Sequence, residues 1–265
     1  MKLFERQSTS TKRDLERAQN AIDTLVRTQV AQGLAPFFFK RSRPYEDNET
    51  LSGMLSEGLL HRAAFIKKPP HLLNFYRWVL FAMEQAPESI LEIGVKGGGS
   101  TALWKTLFPS ARVIGMDIKL QRWLADPAAS DGVTYVEGDQ SDALKLEEMA
   151  REHGPFTIVI DDGSHVSSHQ ETTMRCLLPH VRPGGFYIVE DVHTPMKTGA
   201  TPTTADYGPD IWADFTLALF ERLRRGPAPP STPGAKLARD ISQFADDLIV
   251  SRQVLAVRIG ERGRS

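Results

Sequence analysis

Seven short apolar runs in the last two-thirds of this chain constrain its fold more than any other feature. They cover residues 89–94, 112–117, 133–139, 156–162, 185–191, 244–251 and 253–260. The first five are separated by stretches long enough for a helix, and their continuous apolarity is typical of parallel strands buried on both faces. The last two are joined by too little chain for a helical crossover, so they predict an antiparallel pair closing the sheet. The sequence therefore predicts an α/β fold with a mostly parallel, seven-stranded sheet and helices on both faces.

The segment before the first strand has a helical pattern instead. Apolar residues recur at three- and four-residue steps over 9–34, and a second helix is predicted over 71–85, after two prolines. We therefore expect residues 1–85 to form a helical N-terminal extension and residues 86–265 to form the α/β domain. The amphipathic helix at 9–34 has nothing obvious to cover in that domain, so we expect it to make a contact in a homo-oligomer.

Composition and charge exclude several classes of partner. The formal net charge of −1 gives no overall attraction to nucleic acid or to acidic lipid. No apolar run approaches the length of a membrane span, and the first residues lack the apolar core of a signal peptide. Cys176 is the single cysteine, which forbids an internal disulfide. We expect a cytoplasmic protein with neither a membrane nor a nucleic acid as its partner.

Acidic residues stand at the end of each of the first five predicted strands. They are Glu92, Asp117, Asp139, Asp161 with Asp162, and Glu190 with Asp191. Any one of them alone is explained by a turn or a helix cap. In an open parallel sheet, however, the carboxyl ends of the strands converge on one edge, where ligands bind. We therefore expect these acids to share a crevice.

The glycine-rich turn after the first strand indicates what the crevice binds. GVKGGGS (94–100) has Lys96 where a dinucleotide-binding turn needs glycine, and it is not a phosphate-binding loop. A glycine turn with an acidic edge suits a ligand without phosphates that carries a positive centre and a ribose. Asp117 stands where a carboxylate can bind both ribose hydroxyls, near the Asp139–Gln140 turn. These features predict S-adenosylmethionine.

The stretch IVIDDGSH (158–165) supplies a second set of chemical groups. Asp162, together with Glu190 and Asp191, places three hard oxygen ligands at one edge, which favours Mg²⁺, with Ca²⁺ or Mn²⁺ as alternatives. His165 follows Asp162 by about one helical turn and is a candidate general base. Two other readings stay open: a local hydrogen bond for His165, or a zinc pair with His169.

A cation beside a general base suits methyl transfer to an alcohol. An alcohol is a poor nucleophile at neutral pH, and a bound cation lowers the pKa of a hydroxyl. A histidine of near-neutral pKa can then accept the proton. Two other classes stay open on the residues alone: a metal-dependent hydroxylase or hydrolase that uses the same acidic crevice, and a binding protein without catalysis.

Several motifs together resemble a known family. They are LEIGVKGGGSTALWKTLFPSARVIGMDI, GDQSD, FTIVIDDGSHVSSHQ, LLPHVRPGGFYIVED and WADFTLALFERL. Over about residues 86–260 the chain resembles the metal-dependent sugar O-methyltransferases of macrolide biosynthesis, of the macrocin and mycinamicin type. The order of the acids also parallels that of catechol-type O-methyltransferases. Two features depart from the family: a shorter N-terminal region and the residues of EDVHT after the acidic pair.

The resemblance implies a class I, Rossmann-like methyltransferase fold and an enzyme. The implied reaction is Mg²⁺-dependent transfer of a methyl group from S-adenosylmethionine to a sugar hydroxyl of a glycosylated natural product or polysaccharide. The implied base is His165, and the implied metal ligands are Asp162, Glu190 and Asp191. The cofactor is expected at Glu92, Gly94, Ser100, Asp117, Asp139, Gln140 and Asp161. A catechol or phenol acceptor is the alternative within this class.

Overall fold

The computed structural model describes residues 70–83, 85–124, 132–193, 208–226, 232–251 and 253–261. Its helices are α1 (Pro70–Phe81), α2 (Gly99–Leu107), α3 (Ala143–His153), α4 (Ser167–Leu177), α5 (Trp212–Arg225) and α6 (Pro233–Ile241). Its strands are β1 (Ser89–Ile93), β2 (Arg112–Asp117), β3 (Val133–Glu137), β4 (Phe156–Asp161), β5 (Val181–Glu190), β6 (Ala245–Val250) and β7 (Val254–Ile259). The predicted helix at 9–34 lies outside the described residues.

The strands form one seven-stranded sheet in the order β3-β2-β1-β4-β5-β7-β6. Strands β1 to β5 are parallel, and β7 is antiparallel to both of its neighbours, β5 and β6. The mostly parallel sheet and its antiparallel closing pair are thus confirmed. Two boundaries differ from the predictions by four residues, and several others differ by one or two. The helix predicted over 71–85 ends at Phe81, and β5 begins at Val181, ahead of the predicted start at residue 185.

Alternating residues of the central strands face two separate apolar cores. Leu91 of β1 and Tyr187 of β5 pack in the core under α3, α4, α5 and α6. Their neighbours Ile90 and Phe186 pack in the opposite core, with α1 and with Trp104 of α2. All five residues of β1 are buried, as expected for a strand covered on both faces. Among the described residues, no helix has the length and apolarity that a membrane crossing requires.

The pairing register brings the carboxyl ends of the central strands to one level. Ile93 at the end of β1 pairs with Met116 of β2 on one side and with Asp161 of β4 on the other. Asp161 in turn pairs with Val189 of β5. The strand order reverses between β1 and β4, and ligands bind outside the sheet at such a reversal.

Candidate active site

A cavity of about 370 Å³ opens at the carboxyl ends of β1, β2, β4 and β5, within the size range of small-molecule and cofactor sites. It is lined by Leu72, Gly94, Val95, Lys96, Gly99, Ser100, Asp117, Asp162, Gly163, His165, Glu190, Asp191 and Gln253. Most of the residues that the sequence predicted for the site therefore line one cavity. The glycine turn and Asp117 form one side, and the later acids with His165 form the other.

The turn after β1 packs directly against the loop after β4. Gly94 has a φ of 87°, and a Cβ atom at this position would lie 2.2 Å from the main-chain oxygen of Asp162. Only glycine fits, both because of the left-handed backbone and because of this close approach. The same packing joins the two sides of the cavity. Ser100, in the first turn of α2, lines the side formed by the glycine turn.

The carboxylate of Asp117 is fixed at the edge of the glycine turn. Its Oδ2 atom accepts a hydrogen bond of 2.8 Å from the backbone N–H of Lys96, and Oδ1 accepts one of 3.2 Å from that of Lys119. A carboxylate has about four acceptor positions, so these two bonds leave capacity for the hydroxyls of a ligand. The geometry suits the ribose contact that the sequence predicted.

Asp162, His165 and Asp191 form a compact group on the other side. One ligand atom from each lies within 4.8 Å of the others, a spacing at which the three can hold a metal ion. His165 Nε2 lies 3.4 Å from Asp191 Oδ2. His169 is directed elsewhere, because its Nδ1 atom is 3.0 Å from Ser164 Oγ. The geometry therefore offers two aspartates as partners of His165 and gives no support to the zinc pair. Glu190, the third predicted metal ligand, lines the cavity but is not part of this group.

Strained backbone is concentrated at this cavity. The non-glycine residues with positive φ in the described part of the chain are Lys96 (50°), His165 (59°) and Asp191 (55°), and all three line it. Such conformations cost free energy and cluster at functional sites. At Asp191 the effect is direct. Consecutive residues of an extended strand point to opposite faces, yet Glu190 and Asp191 line the same cavity because the backbone leaves the extended conformation between them.

Glu190 is buried and is held from two directions. The hydroxyl of Tyr76, in α1, donates a hydrogen bond to its Oε1 atom. Burial, followed by the nearby Glu190 charge, raises the pKa of Tyr76 well above its ordinary value, which keeps the phenol protonated. The main-chain oxygen of Glu190 accepts a hydrogen bond of 3.0 Å from Gln170 Nε2, and Trp212 Nε1 donates one of 3.0 Å to Gln170 Oε1.

Asp161 and Gln140 lie beneath the cavity and are not part of its lining. Asp161 is fully buried, and Gln140 Nε2 lies 3.1 Å from its Oδ1 atom and 3.1 Å from Thr173 Oγ1. Burial raises the pKa of Asp161 to about 7, against the lowering effect of its hydrogen bonds with Gln140 and Gly163. The backbone N–H of Ser164 donates to Gln140 Oε1 at 2.6 Å, so this pair supports the loop that carries His165.

Glu92 and Asp139 also lie outside the cavity lining. Glu92 is fully buried and accepts a hydrogen bond of 3.2 Å from Trp104 Nε1. Asp139 is exposed, and the backbone N–H and the hydroxyl of Ser141 both donate to its Oδ1 atom at 2.8 Å. These bonds lower the pKa of Asp139. A cofactor contact by Glu92, Asp139, Gln140 or Asp161 stays a prediction.

Several residues at the site were not predicted. Leu72 and Gln253 line the cavity, and Tyr76 binds Glu190. The sequence placed Leu72 and Tyr76 in the extension and Gln253 at the start of the last predicted strand. His193 of the EDVHT segment, which the sequence left open as either a substrate contact or a solvent-facing loop residue, also joins the site. Its Nδ1 atom lies 3.6 Å from Asp191 Oδ1, and its Nε2 atom lies 3.3 Å from Gln253 Nε2. The signal for His193 was its position two residues after the acidic pair.

Comparison with known proteins agrees with this geometry. Residues 91–192 match the family model of a methyltransferase domain. The chain contains a methyltransferase domain. That match begins in β1 and ends two residues after Glu190, so the methyltransferase domain includes both sides of the cavity.

Curated relatives of the methyltransferase domain act on glycosylated natural products. The chain is 43% identical over 163 residues to the 8-demethyl-8-(2-methoxy-alpha-L-rhamnosyl)-tetracenomycin-C 3'-O-methyltransferase of Streptomyces olivaceus, covering 57% of this chain and 41% of the relative. It is 45% identical over 117 residues to the mycinamicin VI 2''-O-methyltransferase of Micromonospora griseorubida, covering 42% and 28% of the two chains. The match to the demethylmacrocin O-methyltransferase of Streptomyces fradiae is 44% over 117 residues, covering 42% and 29%.

A solved structure shares the fold. It is the MycE methyltransferase of the mycinamycin biosynthetic pathway in complex with Mg, SAH and mycinamycin VI, with 31% identity and a TM-score of 0.58. The similarity covers 81% of this chain and 54% of that one. The chain thus spans less than half the length of the curated relatives and about half of the solved structure. The class I methyltransferase fold and the resemblance to sugar O-methyltransferases are confirmed.

Proposed function

We propose that this protein transfers a methyl group from S-adenosylmethionine to a hydroxyl of a sugar, with the help of a divalent cation. One observation carries the proposal. A single cavity joins the glycine turn and Asp117, which suit an adenosine ligand, to the group formed by Asp162, His165 and Asp191. A methyl donor and an acceptor hydroxyl must meet in one space, and the two sides of this cavity supply it.

The methyl donor is assigned to the side formed by the glycine turn. Gly94 and Ser100 would line its amino-acid and ribose portions, and Asp117 would accept hydrogen bonds from the ribose hydroxyls. The carboxylates across the cavity favour a ligand with a positive centre, which the sulfonium supplies. In support, the structural relative MycE was solved with SAH, the product of S-adenosylmethionine after methyl transfer.

The acidic side fits a hard divalent cation. Asp162 and Asp191 belong to the compact group, and Glu190 lines the same cavity outside that group. All three offer oxygen ligands, the donor type that Mg²⁺ prefers. We assign these three as the residues that would hold Mg²⁺. When bound there, the cation would lower the pKa of the acceptor hydroxyl and orient it.

His165 is assigned as the general base. Its Nε2 atom would accept the proton of the acceptor hydroxyl as the hydroxyl oxygen bonds to the methyl carbon and the carbon–sulfur bond breaks. Asp191 Oδ2, 3.4 Å from Nε2, would stabilise the positive charge that His165 then carries. The products are the methyl ether, SAH and the proton on the imidazole, which later passes to solvent.

The acceptor is proposed to be a sugar hydroxyl of a glycosylated natural product. The support is the shared target of the relatives, whose names specify O-methylation of a rhamnosyl group in tetracenomycin and of mycinamicin VI. A phenolic acceptor belongs to the same chemistry, and the panel below separates the two.

Domain division, assembly and location complete the proposal. We assign residues 86–265 to the methyltransferase domain and 1–85 to an extension in front of it, with α1 packed against the sheet. The helical pattern at 9–34 supports a homo-oligomer, whose mass light scattering would measure. A single, half-buried cysteine supports a cytoplasmic location.

The decisive experiment has two stages. S-adenosylmethionine and SAH are titrated calorimetrically into the protein, each with Mg²⁺ and with a chelator. Methyl transfer is then measured on matched panels of glycosides and catechols. We expect micromolar or tighter binding of both ligands and Mg²⁺-dependent transfer to a glycoside. No binding of either ligand would reject the methyl-donor assignment, and transfer to catechols alone would reject the sugar acceptor.

A further inference from the structure

Helix α1 reaches the active site although it precedes the matched methyltransferase segment, residues 91–192. Two of its residues, one helical turn apart, take part. Leu72 lines the cavity, and the hydroxyl of Tyr76 donates a hydrogen bond to Oε1 of Glu190. The assigned metal ligands therefore have a partner that the methyltransferase segment itself does not contain.

Packing fixes the position of the Tyr76 ring. The side chain is 3% exposed, and its ring centroid lies 4.8 Å from that of Trp104 and 6.4 Å from that of Phe75. Trp104 is itself anchored, because its Nε1 atom donates to the buried Glu92. A phenol with a fixed ring directs its one proton to a fixed point. Here that point is a carboxylate at the edge of the cavity.

Glu190 is consequently held at both its backbone and its side chain. Gln170 binds its main-chain oxygen at 3.0 Å, and Tyr76 binds one carboxylate oxygen. A carboxylate retains further acceptor positions after one hydrogen bond, so the bond from Tyr76 orients the group without preventing it from holding a cation. Groups that bind a metal ligand in this way set its orientation and commonly change metal affinity when they are removed.

We propose that Tyr76 is a positioning residue that presents the Glu190 carboxylate to the divalent cation. This inference rests on the proposed function, since it takes Glu190 as a metal ligand. It extends that function by making α1 a required part of the metal site.

The test compares two tyrosine-to-phenylalanine variants of the full chain. Tyr76→Phe removes the hydroxyl on Glu190. Tyr187→Phe removes a buried hydroxyl for which no hydrogen-bond partner is found among the described residues, and it serves as the matched control. Mg²⁺ is titrated calorimetrically in the presence of saturating SAH. SAH is titrated separately with a chelator, because its affinity reports on the fold of the other side of the cavity.

We expect Tyr76→Phe to weaken Mg²⁺ binding by about 10- to 100-fold. We expect Tyr187→Phe to leave Mg²⁺ binding unchanged, and both variants to bind SAH like the parent protein. In a Glu190→Gln background, Tyr76→Phe should have no further effect on Mg²⁺ affinity, because the two residues act as a unit.

Three results would overturn the inference. The first is a Tyr76→Phe variant with the Mg²⁺ affinity of the parent. The second is an equal loss of Mg²⁺ and SAH affinity, which would show a general packing role. The third is a parent protein that binds SAH but not Mg²⁺, which would also remove the metal from the proposed function. Absence of SAH binding in the parent would instead reject the methyl donor.

Discussion

His165 and Asp191 lie 3.4 Å apart, Nε2 to Oδ2, although one follows β4 and the other follows β5. Both residues have left-handed backbone, with φ of 59° and 55°. Each strand end therefore turns its side chain toward the same space. The imidazole and the carboxylate meet because two separate strained turns direct them there, which is the arrangement expected of a base and the acid that stabilises its charged form.

Replacing His165 with asparagine should abolish most of the methyl transfer. Loss of a general base lowers rates by about 10²- to 10⁴-fold, and the other groups of the cavity remain in place. SAH affinity, measured by calorimetry, should stay that of the parent. His153→Gln is the control, since His153 ends α3 away from the cavity and should keep full kcat. A rate for His165→Asn within a few-fold of the parent would exclude the residue as the base.

Replacing Asp117 with asparagine should weaken SAH binding by roughly 10- to 100-fold, because hydrogen bonds to a charged group contribute about 1.5–3 kcal/mol. Glu137→Gln is the matched control. Glu137 pairs with Asp117 in the sheet register and accepts a backbone hydrogen bond of 3.1 Å from Leu120, but it does not line the cavity. Calorimetric titration of SAH into both variants decides the point. Equal affinities would place the ribose elsewhere.

Gly94→Ala should destabilise the fold more than Gly184→Ala. Both glycines have positive φ, 87° and 78°, so both substitutions introduce backbone strain. A Cβ at Gly94 would meet the main-chain oxygen of Asp162 at 2.2 Å, whereas at Gly184 it would meet nothing within 4 Å. The close contact should add about 1–3 kcal/mol to the loss of unfolding free energy. Urea unfolding of the two variants measures the difference, and equal losses would contradict the contact.

Asp240→Asn should reduce stability at pH 7 but not in acid. Arg175 in α4 binds Asp240 in α6 at 2.7 Å, and this hydrogen bond lowers the pKa of Asp240 below 3.8. A depressed carboxyl pKa stabilises the fold above the unfolded pKa, and the contribution is lost as the pH falls through the folded pKa. Because both side chains are about a third exposed, the loss at pH 7 should be at most about 1 kcal/mol.

Unfolding free energies of the parent and of Asp240→Asn at pH 7 and near pH 3 test this linkage. The gap between the two proteins should narrow in acid as the carboxyl group is protonated. A gap that is the same at both pH values would show that Asp240 acts through something other than its charge.

The sequence predicted the sheet well because its central strands are buried on both faces. Such strands must be continuously apolar, and β1 and β4 could be recognised in the sequence for that reason. The start of β5 was missed because Pro183 and Gly184 interrupt its apolar run. In the structure, Pro183 and Gly184 nevertheless lie within the strand.

Some of the predicted acids line the cavity, and others are buried within the sheet. Asp162 and Asp191 follow β4 and β5 and line the cavity, as expected. Glu92 and Asp161 lie within their strands, where alternation directs a side chain into a sheet face, and both are fully buried. The contact made by Tyr76 could not be predicted for a different reason. Its hydrogen bond to Glu190 spans 114 residues of sequence and depends on how α1 packs against the sheet.

The packing of α1 also sets the smallest fragment of this chain that can be moved or fused as a unit. Phe75 and Val79 are buried against the sheet face that contains Ile90 and Phe186. A fragment that begins at residue 86 lacks α1, so it would expose that apolar face to water and promote aggregation. Engineers who transplant this domain should therefore begin it no later than Pro70, ahead of the boundary that strand prediction alone suggests.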